Sequence, residues 1–428
     1  MFSKQTIRDI DLAGKTVLLR ADYNVPVSDG KITDDYRIRQ SLPTVNYLLD
    51  NAAKLIICSH LGRPSGPGDS SNSLFPVAKR LKQLLDRPVE FATDCVGELA
   101  QKAVAGLQPG GVLLLENLRF HPGEKANDDG FAKQLASLAD VFVQDGFGVV
   151  HRADASTVAI THHLPSVAGL LLEKEVDTIT HVMEKPKRPL MAIVGGAKIS
   201  DKLDILNRLI TRADFVAVGG AMANTFLAAR SIAVGDSLYD QADLSLAKGI
   251  LRAAEAEAAK RPFIFAVPHD VVVAAKIDKT APTRIVELTT HTMADIEHYP
   301  GRVPAASSQV HAREKILDIG PFSASFIAGG VQLANTVIWN GTLGVTETGS
   351  LQGPIGPTAH GTQTVVEALL GELGHKPFTV VGGGDTVGYL ESRQLVDHFG
   401  HVSTGGGASL ELMAGHSLPG VEALQDKK

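Results

Sequence analysis

Residues 190–198 read LMAIVGGAK, an apolar run of strand length that ends directly in a glycine turn and a lysine. Similar short apolar runs alternate along the whole chain with longer stretches of helical period. This alternation is typical of β-α-β units built around a parallel sheet. Because ligands of such sheets bind beyond the carboxyl ends of the strands, the residues that follow each run are the candidate site residues.

The alternation predicts two α/β domains of similar size. It predicts strands at 16–19, 54–58, 111–115, 141–144, 190–194, 214–218, 263–267, 336–339, 378–381 and 401–403. It predicts helices at 41–50, 76–85, 130–138, 167–184, 201–211 and 241–260. Pro186 and Pro189 stop the long helix over 167–184, so the junction is placed at about residues 170–190. The polar stretch 279–304 is expected to be a surface excursion.

Composition narrows the function classes. The chain has 428 residues, 44% of them hydrophobic, and 41 basic against 47 acidic residues give a net charge of −6. An acidic surface argues against nucleic-acid binding, which needs a basic face. Two cysteines make no disulfide framework, the start has no apolar signal region, and no run of 18 apolar residues exists. We therefore expect a cytoplasmic protein, with Cys58 a residue of the core.

Basic side chains follow the predicted strands of the first half. The polar residues at these strand ends include Arg20, Asp22, Asn24, His60, Arg63, Arg119 and Arg152, and Arg37 is placed in the loop after the first strand. Arginine binds phosphate or carboxylate through two parallel hydrogen bonds. A solvated surface position is the ordinary interpretation of any single arginine. Several of them at one edge of one sheet predict an anion site.

Glycine clusters follow the predicted strands of the second half. They lie at 195–196, 219–220, 341, 382–384 and 405–407. A glycine turn that opens a helix presents N–H groups and a positive dipole end to a phosphate. Lys198 and Lys202 are four residues apart and would share a face if that segment is helical. Asp385 is the only acid within such a turn, which makes it a candidate Mg²⁺ partner.

Several known signatures are missing from the sequence. It contains no P-loop motif, no Gly-x-Gly-x-x-Gly after the first strand and no protein-kinase signature. Residues 235–238 read GDSL, a lipase-like tetrapeptide, but they follow no predicted strand and are interpreted as a structural loop.

Seven motifs together resemble the phosphoglycerate kinase family, in order and over essentially the whole chain. They are Arg20-x-Asp22-x-Asn24-Val-Pro, HLGRP at 60–64, ENLRF at 116–120, GGAKISDK at 195–202, WNG at 339–341, GGGDT at 382–386 and STGGGAS at 403–409. The resemblance implies two Rossmann-like domains with parallel sheets, joined by a long inter-domain helix that acts as a hinge. It implies a 3-phosphoglycerate-binding domain at 1–170, the helix at 171–188, a nucleotide-binding domain at 189–405 and a C-terminal segment, 406–428, that packs back toward the first domain.

The implied function is a Mg²⁺-dependent phosphoryl transfer of glycolysis. It runs reversibly between ATP and the carboxylate of 3-phosphoglycerate, with 1,3-bisphosphoglycerate and ADP as the other pair. We expect a monomer that binds these small molecules and neither nucleic acid nor membranes. A carboxylate nucleophile needs no general base, which agrees with a sequence that shows no Ser-His or Cys-His constellation.

The resemblance also assigns roles to individual residues. The substrate would be held by Asp22, Asn24, Arg37, His60, Arg63, Arg119 and Arg152. The nucleotide would be held by Gly196, Ala197, Lys198, Lys202, Gly219, Asn340, Glu347, Gly382, Gly383, Gly384, Asp385 and Thr386, with Asp385 as the metal partner. The catalytic set would be Arg37, Lys198, Lys202, Gly384 and Gly407.

The chain departs from the family pattern at a few positions. Thr342 and Thr346 stand where proline and phenylalanine are usual, and Asp154 stands where histidine is usual. Val149-Val150 and Ala221 are further departures. These changes leave two alternatives open: a kinase of the same fold acting on another phosphorylated acid, and a nucleotide-binding paralogue that has lost its chemistry.

Overall fold

The computed structural model describes residues 2–52, 54–288, 309–347 and 355–427. The chain divides into two compact units. The first unit comprises Met1–Thr180, Thr404–Leu412 and His416–Lys428, and the second comprises His181–Ser403 and Met413–Gly415. The described residues of the second unit include most of the glycine clusters, and those of the first include the arginine-bearing strand ends.

The described strands of the first unit are β1 (Thr16–Arg20), β2 (Val27–Ser28), β3 (Lys31–Ile32), β4 (Lys54–Cys58), β5 (Glu90–Ala92), β6 (Val112–Leu115), β7 (Val141–Gln144) and β8 (Ser166–Ala168). Six of them form a parallel sheet in the order β5-β6-β4-β1-β7-β8, and β2 and β3 form a small hairpin. Its described helices are α1 (Tyr36–Asn51), α2 (Phe75–Leu85), α3 (Gly97–Gly106), α4 (Pro122–Lys125), α5 (Asp129–Ala136) and the first part of α6 (Leu170–Glu184).

Both faces of this sheet are covered, which explains the near-continuous apolar character of its strands. Successive side chains point to opposite faces. In β1, Val17 and Leu19 therefore join one hydrophobic layer, while Leu18 joins the other. Cys58 and Cys95 lie buried in the second layer, as predicted for Cys58.

The second unit repeats this plan with a second six-stranded parallel sheet, in the order β11-β10-β9-β15-β16-β17, and adds a small antiparallel sheet, β13-β12-β14. Its described strands are β9 (Leu190–Val194), β10 (Phe215–Val218), β11 (Ile264–Ala266), β12 (Asp270–Ala274), β13 (Arg284–Glu287), β14 (Lys315–Ile319), β15 (Thr336–Asn340), β16 (Phe378–Gly382) and β17 (His401–Val402). Its described helices are α7 (Leu203–Arg212), α8 (Gly220–Ala229), α9 (Leu244–Ala258), α10 (Pro321–Leu333), α11 (His360–Leu370) and α12 (Gly384–Ser392).

The chain then closes with α13 (Gly406–Ala414), most of which belongs to the first unit, and α14 (Pro419–Glu422), which belongs to it entirely. Lys4 forms a β-bridge with Asp426 and also pairs with its carboxylate at 2.7 Å. The C-terminal residues thus pack on the first unit, near its amino terminus.

The ten predicted strands are all present within two residues of their predicted ends. Among the described residues, the strands that the sequence pattern missed are short or antiparallel: β2, β3, β5, β8, β12, β13 and β14. Residues 166–168 pair with β7 as a strand, so the long helix begins at Leu170 instead of 167. The surface excursion predicted over 279–304 contains β13, and its residues 289–304 lie outside the described residues.

Within the part of the chain that the structure describes, no helix combines the length and the apolar character needed to traverse a lipid bilayer.

Candidate active site

The first unit has a cavity of about 300 Å³ at the carboxyl ends of its central strands. We call it the arginine cleft. Its lining residues are Asp22, Asn24, Arg37, His60, Gly62, Arg63, Arg119, Gly148, Val149, His151, Arg152, Gly406 and Gly407. All seven residues predicted to hold the substrate therefore lie in one cavity.

Asp22 and Arg37 form the central ion pair of the arginine cleft. The Arg37 Nη1 donates to Asp22 Oδ2 at 2.9 Å and to the Asn24 carbonyl at 3.2 Å. Burial alone would raise the pKa of Asp22, but the charge of Arg37, with smaller contributions from His60 and Arg20, holds it below its ordinary value. Arg37 stands in the first turn of α1, not in the loop predicted for it, because that helix begins at Tyr36.

His60 is a neutral hydrogen-bonding group in this cleft. Burial lowers its pKa well below the ordinary value, and Asp22 offsets this only in part. Behind it lies Arg20, whose Nη2 is 3.3 Å from His60 Nδ1. Arg20 is fully buried, and its Nε donates to Ser156 Oγ at 2.7 Å, which in turn donates to Glu124 Oε1 at 2.6 Å. This Arg20–Ser156–Glu124 layer orients His60, and the sequence motifs gave no role to it.

Two side chains in the arginine cleft keep polar atoms without a protein partner. Arg119 Nη1 donates to the Gly62 carbonyl at 2.8 Å, while its Nε and Nη2 are buried and bind nothing. Burial, followed by repulsion from Arg152 and Arg20, lowers the pKa of Arg119. His151 accepts from Arg152 Nε at 3.1 Å and leaves its Nδ1 unpartnered. Buried donors without partners are costly, so this arrangement favours an anionic ligand that would satisfy them.

Two glycines let the backbone pass close to these side chains. A Cβ at Gly148 would lie 2.1 Å from Asp22 Oδ2, and one at Gly407 would lie 3.1 Å from His151 Nε2.

The turn before α13 is fixed by Glu175 of α6, which accepts hydrogen bonds from Thr404 N and Oγ1 at 2.7 and 2.8 Å. The 405–407 cluster directly follows β17, as predicted, and its turn belongs to the first unit, where Gly406 and Gly407 line the arginine cleft.

The second unit has a larger cavity of about 630 Å³, which we call the glycine cleft. Of the predicted nucleotide residues it is lined by Gly196, Ala197, Glu347 and Asp385. Gly196 and Gly220 have positive φ angles of 127° and 66°, and a Cβ at Gly220 would lie 2.8 Å from Gly196 N. Only glycine adopts such closely packed left-handed turns at low cost. Gly383, with φ of 92°, opens α12, and Asp385 lies in the first turn of that helix.

Lys202 and Asn340 form a contact beside these turns, in which Asn340 is buried and Lys202 is partly buried. The Lys202 Nζ donates to Asn340 Oδ1 at 2.6 Å and to the Asn340 carbonyl at 3.0 Å. Burial lowers the pKa of Lys202 to about 8, and the nearby carboxylates of Asp385 and Asp201 oppose the shift. The Nδ2 of Asn340 is buried without a partner. Thr386 accepts from Gly341 N at 2.7 Å, so its hydroxyl holds the turn after β15.

Lys198 and Lys202 do not share a helix face, because the helical segment on which that arrangement depended is not present. Residues 195–199 form no helix, and Lys202 ends a short 3₁₀ segment, Ser200–Lys202. The Lys198 Nζ instead lies 3.3 Å from Asp240 and is more than half exposed. The remaining predicted nucleotide residues, Gly219, Gly382, Gly383 and Gly384, shape the turns around the glycine cleft without lining it.

The sequence pattern missed the apolar wall of the glycine cleft. Leu238, Tyr239 and Ile277 line it and are exposed. The GDSL stretch is a loop, as predicted, and it borders the cleft as well, since Asp236 and Ser237 also line it. Asp318 is a further missed residue; burial raises its pKa to about 8, and it accepts from Gly361 N at 2.8 Å at the start of α11. Exposed apolar side chains in separate loops carry no sequence motif that could have found them.

Comparison with known proteins identifies the family. A family model described as phosphoglycerate kinase matches residues 7–416. The chain belongs to the phosphoglycerate kinase family. It is 45% identical to the phosphoglycerate kinase of Moorella thermoacetica over 425 residues, covering 99% of this chain and 100% of that one. It is 44% identical to that of Pelotomaculum thermopropionicum over 431 residues, again covering 99% and 100%.

Solved structures of this family share the fold. The phosphoglycerate kinase of Coxiella burnetii matches with a TM-score of 0.79 and 33% identity, covering 98% of each chain. That of Pyrococcus horikoshii OT3 also gives 0.79, with 29% identity and coverage of 99% and 98%. Membership of the phosphoglycerate kinase family makes the chain a glycolytic kinase that uses ATP or ADP with Mg²⁺, as the resemblance predicted.

Proposed function

We propose that the chain transfers the γ-phosphoryl group of MgATP directly to the carboxylate of 3-phosphoglycerate, and the reverse, through the residues of the arginine and glycine clefts. In the forward step a carboxylate oxygen forms the new bond to phosphorus while the bond to ADP breaks, and no proton moves. The observation that carries the proposal is the gathering of all seven predicted substrate residues in the arginine cleft. Among the described lining residues, neither cleft pairs a serine or cysteine with a histidine, as expected when no nucleophile needs activation.

The substrate side of the proposal uses permanently charged groups. Arg63 and Arg152 are exposed at the cleft, and Arg119 offers two unpartnered N–H groups, so these three bind the phosphate of 3-phosphoglycerate. Asp22 Oδ2 accepts from Arg37 Nη1 at 2.9 Å and so holds that arginine in place. Asn24 Oδ1 accepts from the backbone N–H of Gly62 at 2.8 Å. His60, kept neutral by burial, binds a hydroxyl or carboxylate oxygen.

The nucleotide side uses backbone N–H groups and a partly buried lysine. The turns at Gly196 and Gly383 bring N–H groups toward the phosphates, and the first turn of α12 adds its positive dipole end. Asp385 in that turn and the unpartnered amide of Asn340 fit a metal-bound phosphate chain, with Asp385 as the Mg²⁺ partner. When bound with ATP, Mg²⁺ neutralises charge on the phosphate oxygens. Lys202 binds the terminal phosphate, and Glu347 with the apolar wall binds the nucleoside.

Catalysis then consists of alignment and charge stabilisation. We propose that Arg37 and Lys198 contact the phosphoryl group during its transfer. The N–H groups of Gly384 and Gly407 donate to the oxygens of the same group. These residues belong to different units, so transfer includes a hinge closure in which residues 171–188 take part, and closure excludes water from the acyl phosphate. The boundaries 1–170, 189–405 and 406–428 for the substrate domain, the nucleotide domain and the C-terminal segment belong to this proposal.

The first test measures initial rates of ATP- and Mg²⁺-dependent phosphorylation of 3-phosphoglycerate, coupled to NADH oxidation by a dehydrogenase that consumes 1,3-bisphosphoglycerate. The expected result is saturable activity with both substrates, and none with glycerate, which lacks the phosphate. Lys198→Ala is expected to lower kcat strongly while calorimetry still shows ATP binding. Lys260→Ala is the matched control, since Lys260 makes a comparable exposed pair with Glu257 at 3.6 Å. Full activity in Lys198→Ala would remove Lys198 from the mechanism.

A panel of other phosphorylated acids tests the remaining alternative. Asp154 is buried near the arginine cleft with one carboxylate oxygen unpartnered, in a position where the family usually has histidine. Faster turnover with another phosphorylated acid would assign the chain to that substrate. We further propose that the protein is a cytoplasmic monomer without nucleic-acid partners, which gel filtration with light scattering and an RNA-binding assay would test.

A further inference from the structure

A cluster of three different metal-ligating side chains lies on the first unit, outside the arginine cleft. Asp94 and Cys95 occupy the turn between β5 and α3, and His121 immediately precedes α4. One ligand atom of each side chain lies within 4.8 Å of the others. Among the residues that the structure describes, this is the one group of three histidine, cysteine or acidic side chains with such spacing. The proposed phosphoryl transfer uses none of them.

The cluster is held in place by the surrounding structure. The Asp94 Oδ1 accepts from the backbone N–H of Cys95 at 2.7 Å and lies 2.7 Å from His121 Nε2. The imidazole of His121 stacks on Phe131, with ring centroids 5.4 Å apart and an interplanar angle of 28°. Both contacts restrict the rotation of the side chains, so the three donors converge before any ligand arrives.

Burial differs among the three residues in a way that suits an ion entering from solvent. Cys95 is fully buried, whereas the side chains of Asp94 and His121 are 36% and 29% exposed. The thiol therefore forms the floor of the cluster, and the carboxylate and imidazole form its solvent-facing rim.

We propose that Asp94, Cys95 and His121 bind a zinc ion through one oxygen, one sulfur and one nitrogen, with water as the fourth ligand. Zinc takes this mixture of donors and a tetrahedral arrangement, whereas Mg²⁺ requires six oxygen ligands. Sulfur and imidazole nitrogen therefore select against the Mg²⁺ that accompanies the nucleotide. Binding replaces the S–H bond of Cys95 with a zinc–sulfur bond, and the proton leaves to solvent.

The geometry requires a small rearrangement. Bond lengths to zinc of about 2.0 to 2.3 Å place tetrahedral ligand atoms roughly 3.3 to 3.7 Å apart. The His121–Asp94 pair, now at hydrogen-bond distance, must open slightly, while Cys95 Sγ already lies within 4.8 Å of both atoms. Small changes of side-chain torsion angles, within the limits that these contacts set, supply the opening. The competing structural explanation is that His121 and Asp94 form a hydrogen-bonded pair and bind no metal.

A calorimetric titration of the full-length, chelator-treated protein with Zn²⁺ alone, without nucleotide, tests the proposal. We expect one saturable site per chain that millimolar Mg²⁺ does not compete for. Asp94→Asn, Cys95→Ser and His121→Gln should each weaken Zn²⁺ binding by at least about tenfold. His163→Gln is the matched control, because His163 pairs with Asp129 at 2.8 Å but is not part of any such three-residue group. That variant should bind Zn²⁺ as the wild type does.

Substitution with Co²⁺ provides a second readout that identifies the sulfur ligand. A thiolate-to-cobalt charge-transfer absorption should appear in the wild type and in Cys58→Ser, and should be absent from Cys95→Ser. Asp94→Asn and His121→Gln alter partly exposed side chains, so they keep the test valid if Cys95→Ser fails to fold. Zinc bound with unchanged affinity by those two variants, or cobalt bound without the charge-transfer band, would overturn the proposal.

Discussion

The two clefts differ in the groups that they offer to an anion. The arginine cleft is lined by four arginine side chains whose charges persist at every accessible pH, and one of them, Arg37, pairs with buried Asp22. The glycine cleft relies on backbone turns at Gly196 and Gly220 and on Lys202, a lysine whose pKa burial lowers to about 8. Under the proposed function, arginine side chains bind a small phosphorylated acid, whereas backbone N–H groups bind a long polyphosphate along its length.

Glycine has a different purpose in each cleft. Gly148 in the first unit makes room for a side chain, since a Cβ there would collide with Asp22. In the second unit the crowding is between two backbones: a Cβ at Gly195 would lie 2.0 Å from the Thr342 carbonyl, and one at Gly341 would lie 2.4 Å from Gly195 C. The first arrangement fixes a charged group, and the second brings two strand-end turns together.

The largest expected effect comes from removing the central cation of the arginine cleft. Arg37→Ala should lower kcat by about 10³-fold or more, because it removes a charge assigned to the transferred phosphoryl group and leaves buried Asp22 unpaired. ATP affinity, measured by calorimetry, should stay unchanged. Arg39→Ala on the same helix is the control, since Arg39 pairs with Asp35 at 2.8 Å away from the cleft. A kcat near the wild-type value would remove Arg37 from the mechanism.

The next effect distinguishes backbone recognition from side-chain recognition. Gly220→Ala places a Cβ 2.8 Å from Gly196 N at a φ of 66°, so the turn must shift. With strain of about 1–3 kcal/mol, KM for MgATP should rise by about tenfold or more, while KM for 3-phosphoglycerate stays unchanged. Gly249→Ala in α9 is the control, because a Cβ there meets open space. Equal changes in both KM values would show that the turn acts on the whole protein and not on its nucleotide site.

A smaller expected effect is a difference between the two clefts in the pH dependence of substrate binding. In the free enzyme Lys202, with a pKa of about 8, loses its positive charge as pH rises from 7 to 9. The kcat/KM for MgATP should therefore fall above pH 8, by up to about tenfold per pH unit. KM for 3-phosphoglycerate should not change in this range, because the arginines remain charged. Lys202→Arg should remove the decline; a decline that persists in this variant would assign it to another group.

Sequence reasoning recovered the parallel sheets and the strand ends because a buried parallel strand is a short apolar run bounded by glycine or polar residues. It placed Asp22, His60 and Arg119 in one cleft for the same reason, since parallel strands deliver their carboxyl ends to one edge. It did not show that the Gly405–Gly407 turn borders the arginine cleft, because the position of this turn depends on hydrogen bonds from Thr404 to Glu175, 229 residues away in the chain.

Other features had no local signal at all. Strands β12, β13 and β14 form a small antiparallel sheet beside the second parallel sheet, which the βαβ pattern does not anticipate. Arg20, Ser156 and Glu124 come from three separate segments, and only the fold shows that they form one buried layer behind His60. The exposed apolar wall of Leu238, Tyr239 and Ile277 likewise exists only once its loops are in place.

The smallest expected effect compares two buried serines, one behind the arginine cleft and one in the lining of the glycine cleft. Ser156 links two buried ions, Arg20 and Glu124, whereas Ser237 accepts from Ile316 N at 2.8 Å and donates to the Val234 carbonyl. Ser156→Ala leaves the Arg20 Nε–H without an acceptor and should reduce the free energy of unfolding by about 1–3 kcal/mol, against about 1 kcal/mol for Ser237→Ala. Urea unfolding monitored by amide hydrogen exchange in each unit measures both. Because Arg20 also contacts His60, only Ser156→Ala should raise KM for 3-phosphoglycerate. Equal losses of unfolding free energy in the two variants would contradict a layer of buried charged groups that lies behind the arginine cleft alone.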